Sequence, residues 1–198
     1  MDHSTVNRVF VDDFLAAWDG QGSVLDVGTG TALIPIELCR RDGRARVVAV
    51  DAAAAMLALA RRNVEDAGLA SVITLDQVDG KRLPYADARF GAVMSNSIIH
   101  HIPEPFTVLA EMSRVAAPGG LLFVRDLLRP DDERMLRELV DLHAAGANDH
   151  QRQLFADSLH AALSLAEVRE LVGRLGFDPA GVQQTTGRHW TWVARKPA

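Results

Sequence analysis

The sequence predicts an α/β fold, a mainly parallel sheet with helices on both faces and an antiparallel last strand. Three observations carry this. Apolar, strand-like runs alternate with stretches of helical period through the first two thirds of the chain. The first run ends in two glycines just ahead of a helix, and two strand-like runs lie close together at the end of the sequence.

The elements follow in order. Val6, Val9, Phe10, Phe14, Ala17 and Trp18 fall at helical spacing behind Ser4 and Thr5, either of which can cap, so 1–20 reads as an amphipathic helix stopped by Gly20. A strand is expected over 23–27, a helix over 31–41, a second strand over 46–50 and a helix over 53–67 that Gly68 terminates. A third strand at 72–75 precedes an irregular stretch with Gly80 and Pro84. Then come a strand over 90–96, a helix over 105–116 and a strand over 121–127. The last third changes rhythm. Residues 131–144 read as a helix with acids in its first turn, and Asn148 with Gln151, then Ser164 with Glu167, have capping-box spacing ahead of two more helices. Gly176 ends the last helix, and strands over 177–183 and 190–195 flank a short loop containing Gly187.

Composition sets the class. The chain has 198 residues, 48% hydrophobic and 24% charged, and reads as one domain spanning 1–198. A chain of this size buries roughly 70% of its unfolded surface, enough for a core without disulfides. Its one cysteine, Cys39, cannot form an internal disulfide, and no basic-then-apolar run opens the sequence, so a reducing, cytoplasmic location is expected. No apolar stretch reaches the ~20 uncharged residues of a membrane helix. A formal charge of -5 argues against nucleic acid as a partner, because phosphate binding draws on surplus Lys and Arg. Arg40, Arg41, Arg44 and Arg46 read as a solvated helix-to-strand connection.

The run Val24-Leu25-Asp26-Val27-Gly28-Thr29-Gly30-Thr31-Ala32 sets two glycines between strand and helix, where a ligand can approach the backbone without meeting side chains. Two features turn this loop away from a dinucleotide. Leu33 stands where a third glycine would let the helix pack on the strand, and Asp26 would repel a pyrophosphate but attract an ammonium or sulfonium. Asp51 ends the second strand, where an acid can accept both hydroxyls of a ribose; it can equally cap the helix that follows. A glycine turn without a ligand is the alternative for the loop, and an NAD-dependent oxidoreductase is the alternative enzyme.

Further motifs complete a set. Asp79-Gly80 follows the third strand, Asn96-Ser97-Ile98-Ile99-His100-His101-Ile102-Pro103 follows the fourth, and Ala117-Pro118-Gly119-Gly120 leads into the fifth. Together, over 24–125, they resemble the class I S-adenosylmethionine-dependent methyltransferases, and within these the ubiquinone/menaquinone-biosynthesis type that acts on small molecules. The resemblance implies a Rossmann-like three-layer sandwich with a seven-stranded sheet and methyl transfer to a small-molecule acceptor by in-line displacement. It also implies roles. Asp26, Gly28, Thr29 and Gly30 would hold the methionine end of S-adenosylmethionine, with Asn96 and Ser97 beside it. Asp51 would bind the ribose diol, Ala52 and Met56 would line the adenine, Asp79 would accept from its amine and Gly80 would offer a backbone N–H. Three positions depart from the family: Ala32 replaces a third glycine, Gly91 an acid, and Ala53 a Ser or Thr. A non-catalytic cofactor-binding partner subunit is the remaining alternative.

Methyl transfer needs alignment and exclusion of water; a base is required only when the nucleophile starts protonated. His100, His101 and His150 are the candidate catalytic residues, with a structural turn as the alternative for the first two. Residues 128–162 are expected to form a helical lid. Tyr85, Arg125, Asp126 and His143 are candidate substrate contacts, and solvated surface is the alternative for the lid residues. No metal is expected, since His143 and His150 with an acid match no ligand spacing. Trp190 and Trp192 share one strand face and are read as core.

Overall fold

The computed structural model describes residues 3–197. In chain order the elements are α1 (His3–Ala17), β1 (Val24–Val27), α2 (Leu33–Arg41), β2 (Val47–Asp51), α3 (Ala54–Asp66) and β3 (Ile73–Gln77), then β4 (Phe90–Asn96), α4 (Pro105–Val115) and β5 (Ala116–Leu127). Three helices follow, α5 (Glu133–His143), α6 (Asp149–Ala161) and α7 (Leu165–Arg174), and then the hairpin β6 (Val182–Thr186) and β7 (His189–Arg195).

The seven strands form one sheet in the order β3-β2-β1-β4-β5-β7-β6. Strands one to five are parallel, and β7 runs antiparallel between β5 and β6. The strand order turns back between β1 and β4, so the carboxyl ends of these two strands flank the crevice where open α/β sheets bind ligands. Both faces are covered, as a parallel sheet requires. Val24, Met94 and Phe123 pack with Phe10 and Phe14 of α1, Ile36 of α2 and Val64 of α3. On the opposite face Leu25, Val93 and Val124 pack with Leu109 of α4 and Val168 of α7. Helices α5 and α6 bury Leu136, Val140 and Leu159 against Leu127, beside the end of β5. Trp190 and Trp192 are both buried in the core.

Both capping boxes form: the Asn148 and Ser164 side chains accept from the backbone N–H of Gln151 and Glu167, whose side chains reach back to the cap N–H groups. Some boundaries differ from the sequence reading, each for a local reason. Helix α1 begins at His3, so Ser4 and Thr5 stand inside its first turn and not at a cap. Helix α2 starts late because Ala32 is left-handed, at φ 60. Strand β5 starts at Ala116 and absorbs the Pro118-Gly119-Gly120 turn as a bulge against β4. Asp178 caps a short 3₁₀ turn at Pro179–Gly181, which delays β6 to Val182.

Gly91, where the family places an acid, has a steric reason. A Cβ there would lie 2.1 Å from the Gln21 carbonyl oxygen and 3.0 Å from Gly22 Cα, so the link from α1 to β1 crosses β4 at backbone contact distance. Gly91→Ala is therefore expected to destabilise the chain by about 1–3 kcal/mol through overpacking. A urea midpoint equal to that of the parent would refute the contact.

Candidate active site at the strand ends

Strand alternation orients the site. Asp26, Asn96 and Arg125 share parity with Val24, Met94 and Phe123, so all three belong to the face that carries α1, and the register aligns Asn96 with Arg125. Asp26 is buried, and neither its Oδ2 nor the Thr29 Oγ1 has a hydrogen-bond partner among the described residues. Burial pushes the Asp26 carboxyl up to about 7; the neighbouring Thr29 hydroxyl opposes the shift and the Asp51 charge adds to it. A buried carboxylate with an unsatisfied oxygen is complementary to a ligand that brings donors or positive charge.

The loop above Asp26 is fixed by its backbone. Gly28 and Thr29 N–H both donate to the Val50 carbonyl, at 2.8 and 2.9 Å. Gly30 N–H donates to Asp51 Oδ2 at 2.8 Å, and Ala53 N–H to Asp51 Oδ1 at 2.8 Å. Asp51 thus secures both the loop and the turn into α3, and each oxygen keeps acceptor capacity for a hydroxyl. Gly28 and Gly30 are left-handed, at φ 78 and 55, but their surroundings differ. A Cβ at Gly30 would meet nothing within 4 Å, whereas one at Gly28 would lie 2.2 Å from Ile98 Cγ2. The open approach expected at both glycines exists only at Gly30; at Gly28 the space is taken by the chain that follows β4. Ala32 holds a left-handed conformation that costs a residue with a Cβ about 1 kcal/mol.

Along the same edge, Ala52 is exposed and Met56 is 44% exposed in the first turn of α3. Asp79 is exposed, and the Lys81 backbone N–H and ammonium, each at 3.0 Å, hold its carboxyl below the usual range. Gly80 lies against Val27, where a Cβ would come 3.1 Å from Cγ1. Arg114 pins the loop that follows: it donates to the Leu83 and Tyr85 carbonyls and pairs with Glu111 and Asp87. Tyr85 is consequently turned into the fold. It is buried, its hydroxyl donates to Asp76 Oδ2 at 2.8 Å, and its ring packs edge-on against Phe90 at 5.2 Å. Burial and Asp76 push its phenol well up.

After β4, Ser97 turns the chain at φ 61 and its N–H donates to the Arg125 carbonyl at 2.9 Å. A 3₁₀ turn at Ile99–His101 follows. His100 Nδ1 lies 2.5 Å from Asp126 Oδ1, which also accepts from Leu127 N–H at 2.6 Å, while Asp126 Oδ2 accepts from Ile99 N–H at 2.5 Å. Asp126 is 1% exposed with both oxygens engaged within the fold, so it holds the His100 ring. Its acceptance fixes the proton on Nδ1 and leaves Nε2 as the basic nitrogen. The His101 ring lies 3.9 Å from that of His100, and partial burial and His100 lower its pKa.

Arg125 points the other way. It donates to Thr191 Oγ1 at 2.9 Å and to Asp13 Oδ2 of α1 at 2.6 Å, with its guanidinium over Phe10. Arg125 and His143 line a mostly apolar pocket of about 250 Å³ between α1, the end of α5 and the β6–β7 turn. His150 is exposed in the first turn of α6 and does not line that pocket, whereas His143 does. The remaining walls include Val6, Val9, Arg188 and His189, which the sequence reading did not select. One signal could have found Arg188: the two-residue turn Gly187-Arg188 sets a cation at a hairpin tip.

Comparison with known proteins bears on the family and the fold. Residues 25–124 match the model of the methyltransferase domain family. A demethylmenaquinone methyltransferase of Corynebacterium glutamicum (strain R) is 31% identical over 172 residues, covering 82% of this chain and 70% of that protein. A phosphatidylethanolamine N-methyltransferase of Cereibacter sphaeroides is 39% identical over 99 residues, 50% of this chain, which spans about half of that relative at 47%. In fold, the chain is similar to a SAM-dependent methyltransferase structure from Aquifex aeolicus, with a TM-score of 0.68 over 99% of both chains at 19% identity. The family model covers half of the chain and the Corynebacterium relative aligns over most of it, so the chain belongs to the methyltransferase domain family, whose cofactor is S-adenosylmethionine.

Proposed function

We propose that this protein transfers the methyl group of S-adenosylmethionine to a small-molecule acceptor in the cytoplasm. The observation that carries the reading is Asp26, a buried carboxylate next to the Thr29 hydroxyl and beneath a left-handed glycine loop, with an Oδ2 that has no partner among the described residues. These groups fit the amino-acid end of the cofactor, and Asp51, with acceptor capacity on both oxygens, fits its ribose diol. Met56, Asp79 and Gly80 follow along the same edge toward the adenine end, and Asn96 and Ser97 close the methionine end. When bound, S-adenosylmethionine supplies a methyl group already activated by a positive sulfur.

The chain's own residues then align, enclose and deprotonate. Asp26 carries the charge that opposes the cofactor's cation. Helices α5 and α6, within 128–162, cover the acceptor, which enters the pocket lined by Val9, Arg125 and His143. His100, its Nδ1–H held by Asp126 on the sheet face opposite Arg125, takes up at Nε2 the proton of a hydroxyl nucleophile only where the acceptor extends out of that pocket past the strand ends.

The direct test is calorimetric titration with S-adenosylmethionine, S-adenosylhomocysteine and NAD in parallel, after mass spectrometry for a carried-over ligand. Micromolar binding of the two sulfur compounds alone is expected; binding of NAD alone, or of none, sinks the reading. Asp51→Ala is expected to weaken S-adenosylmethionine by about 1–3 kcal/mol.

Asp26 also predicts a pH dependence. Its folded pKa, about 7, lies above the usual value of 3.8, so the folded state holds the extra proton between the two and stability falls as pH rises. The ligand-free chain should lose on the order of 4 kcal/mol between about pH 4 and pH 7 from this group alone. Asp26→Asn should flatten that slope and raise the melting temperature at pH 8 while weakening the cofactor at least tenfold. A parallel pH slope in the two proteins would contradict the buried, unpaired carboxylate. With a hydroxyl acceptor, His100→Gln should lower kcat by about 10²–10⁴ at unchanged cofactor affinity.

A further inference from the structure

Helix α2 cannot satisfy the chain that leads into it. Its first backbone hydrogen bond runs from Ile36 N–H to the Ala32 carbonyl at 3.1 Å. The Thr31 carbonyl, one residue earlier, would look to the N–H of the residue four places on, which is Pro35 and has none. The side-chain amide of Asn63 supplies the missing donor, Nδ2 to the Thr31 carbonyl at 2.9 Å, across 32 residues of sequence. Asn63 stands in the third turn of α3, where Ala60 and Val64 beside it bury into the same cluster as Ala32. Asparagine is a weak helix former, so the beneficiary of this side chain is the loop and not α3.

The contact falls where the loop is strained. Ala32 is buried at φ 60, a left-handed conformation that a residue with a Cβ rarely holds. Strain of this kind persists only where the surroundings over-determine it. Ala32 N–H donates to the Thr29 carbonyl at 3.0 Å, which closes a tight turn over 29–32. Gly30 N–H, inside that turn, is taken by Asp51. The segment of α3 therefore grips the loop at two points, through Asp51 ahead of its first turn and through Asn63 in its third.

We infer that Asn63 is a positioning residue for the cofactor loop: it keeps Ala32 left-handed and so fixes how Thr29 and Gly30 meet the methionine end of S-adenosylmethionine. The inference rests on the cofactor reading. Asn63 acts through the Thr31 carbonyl and not by touching the ligand. Without its amide that carbonyl loses its donor, and Ala32 relaxes toward negative φ, which re-aims the peptide planes on either side of it. Glycine adopts the left-handed conformation without such support. Substitution at residue 32 therefore separates a positioning role of Asn63 from a contribution to stability alone.

The test is calorimetric titration of the full chain with S-adenosylhomocysteine, in a cycle of Asn63→Ala, Ala32→Gly and the two together. Asn63→Ala is expected to weaken binding about five- to tenfold, the worth of one hydrogen bond to a part-buried carbonyl. With Ala32→Gly already present, the same change should cost less than about twofold. A residue that only stabilised the fold would lower the melting temperature in both backgrounds and leave the affinity alone. Affinity within about twofold of the parent for Asn63→Ala, or the same loss with and without Ala32→Gly, would each overturn the inference. Should Asn63→Ala fail to fold, Asn63→Asp keeps the shape and removes the donor, and the cycle is run with it under the same outcomes. No binding by the unaltered chain removes the cofactor reading and the inference with it; binding that Asn63→Ala leaves intact removes the inference alone.

Discussion

Arg125 and Asp126, two adjacent residues of opposite charge, end β5 with side chains on opposite faces of the sheet, and the surroundings of the site depend on that alternation. On one face the guanidinium joins α1 to the sheet through Asp13 and Thr191 and forms a wall of the pocket. On the other the carboxylate gathers Ile99 N–H, Leu127 N–H and His100 Nδ1. Had the two side chains met, they would have neutralised each other. Separated by the sheet, each organises a different partner.

Asp26 expresses the opposite relation between stability and function. Nothing in the fold benefits from a buried carboxylate with a bare oxygen, and burial holds its proton up to about 7. The arrangement is a cost to the fold, since a buried carboxylate oxygen without a donor is unfavourable. Asp51 is the contrasting case. It is satisfied within the fold by Gly30 and Ala53 yet retains capacity, so it stabilises the loop whether or not a ligand is present.

Much of this was legible in the sequence. The alternation of strand and helix, both capping boxes, and the Asp26-to-Gly30 loop with Asp51 depend on neighbours within one or two elements, and such short-range signals survive in a linear reading. What escaped it depends on residues far apart. Tyr85 looked like a loop residue near the mouth, but its hydroxyl finds Asp76 and its ring Phe90. Asp126 looked like a polar group at a substrate site, and only the return of the chain after β4 shows that it faces His100. The pocket draws on α1, β5, α5 and the terminal hairpin, four elements spread from Thr5 to His189, and no local pattern marks that convergence.

The contact between Gly28 and Ile98 has a further consequence. The Ile98 side chain occupies the volume that a Cβ at residue 28 would need, so positions 28 and 98 are sterically one position: either can grow only if the other shrinks. Ile98 stands just before the turn that carries His100 and His101, and that turn seats itself by covering the loop at the end of β1. The two halves of the site therefore share a foundation. The turn that carries the two imidazoles is laid down on the glycine loop, so a side chain added at residue 28 would displace Ile98 and be felt at His100 and His101.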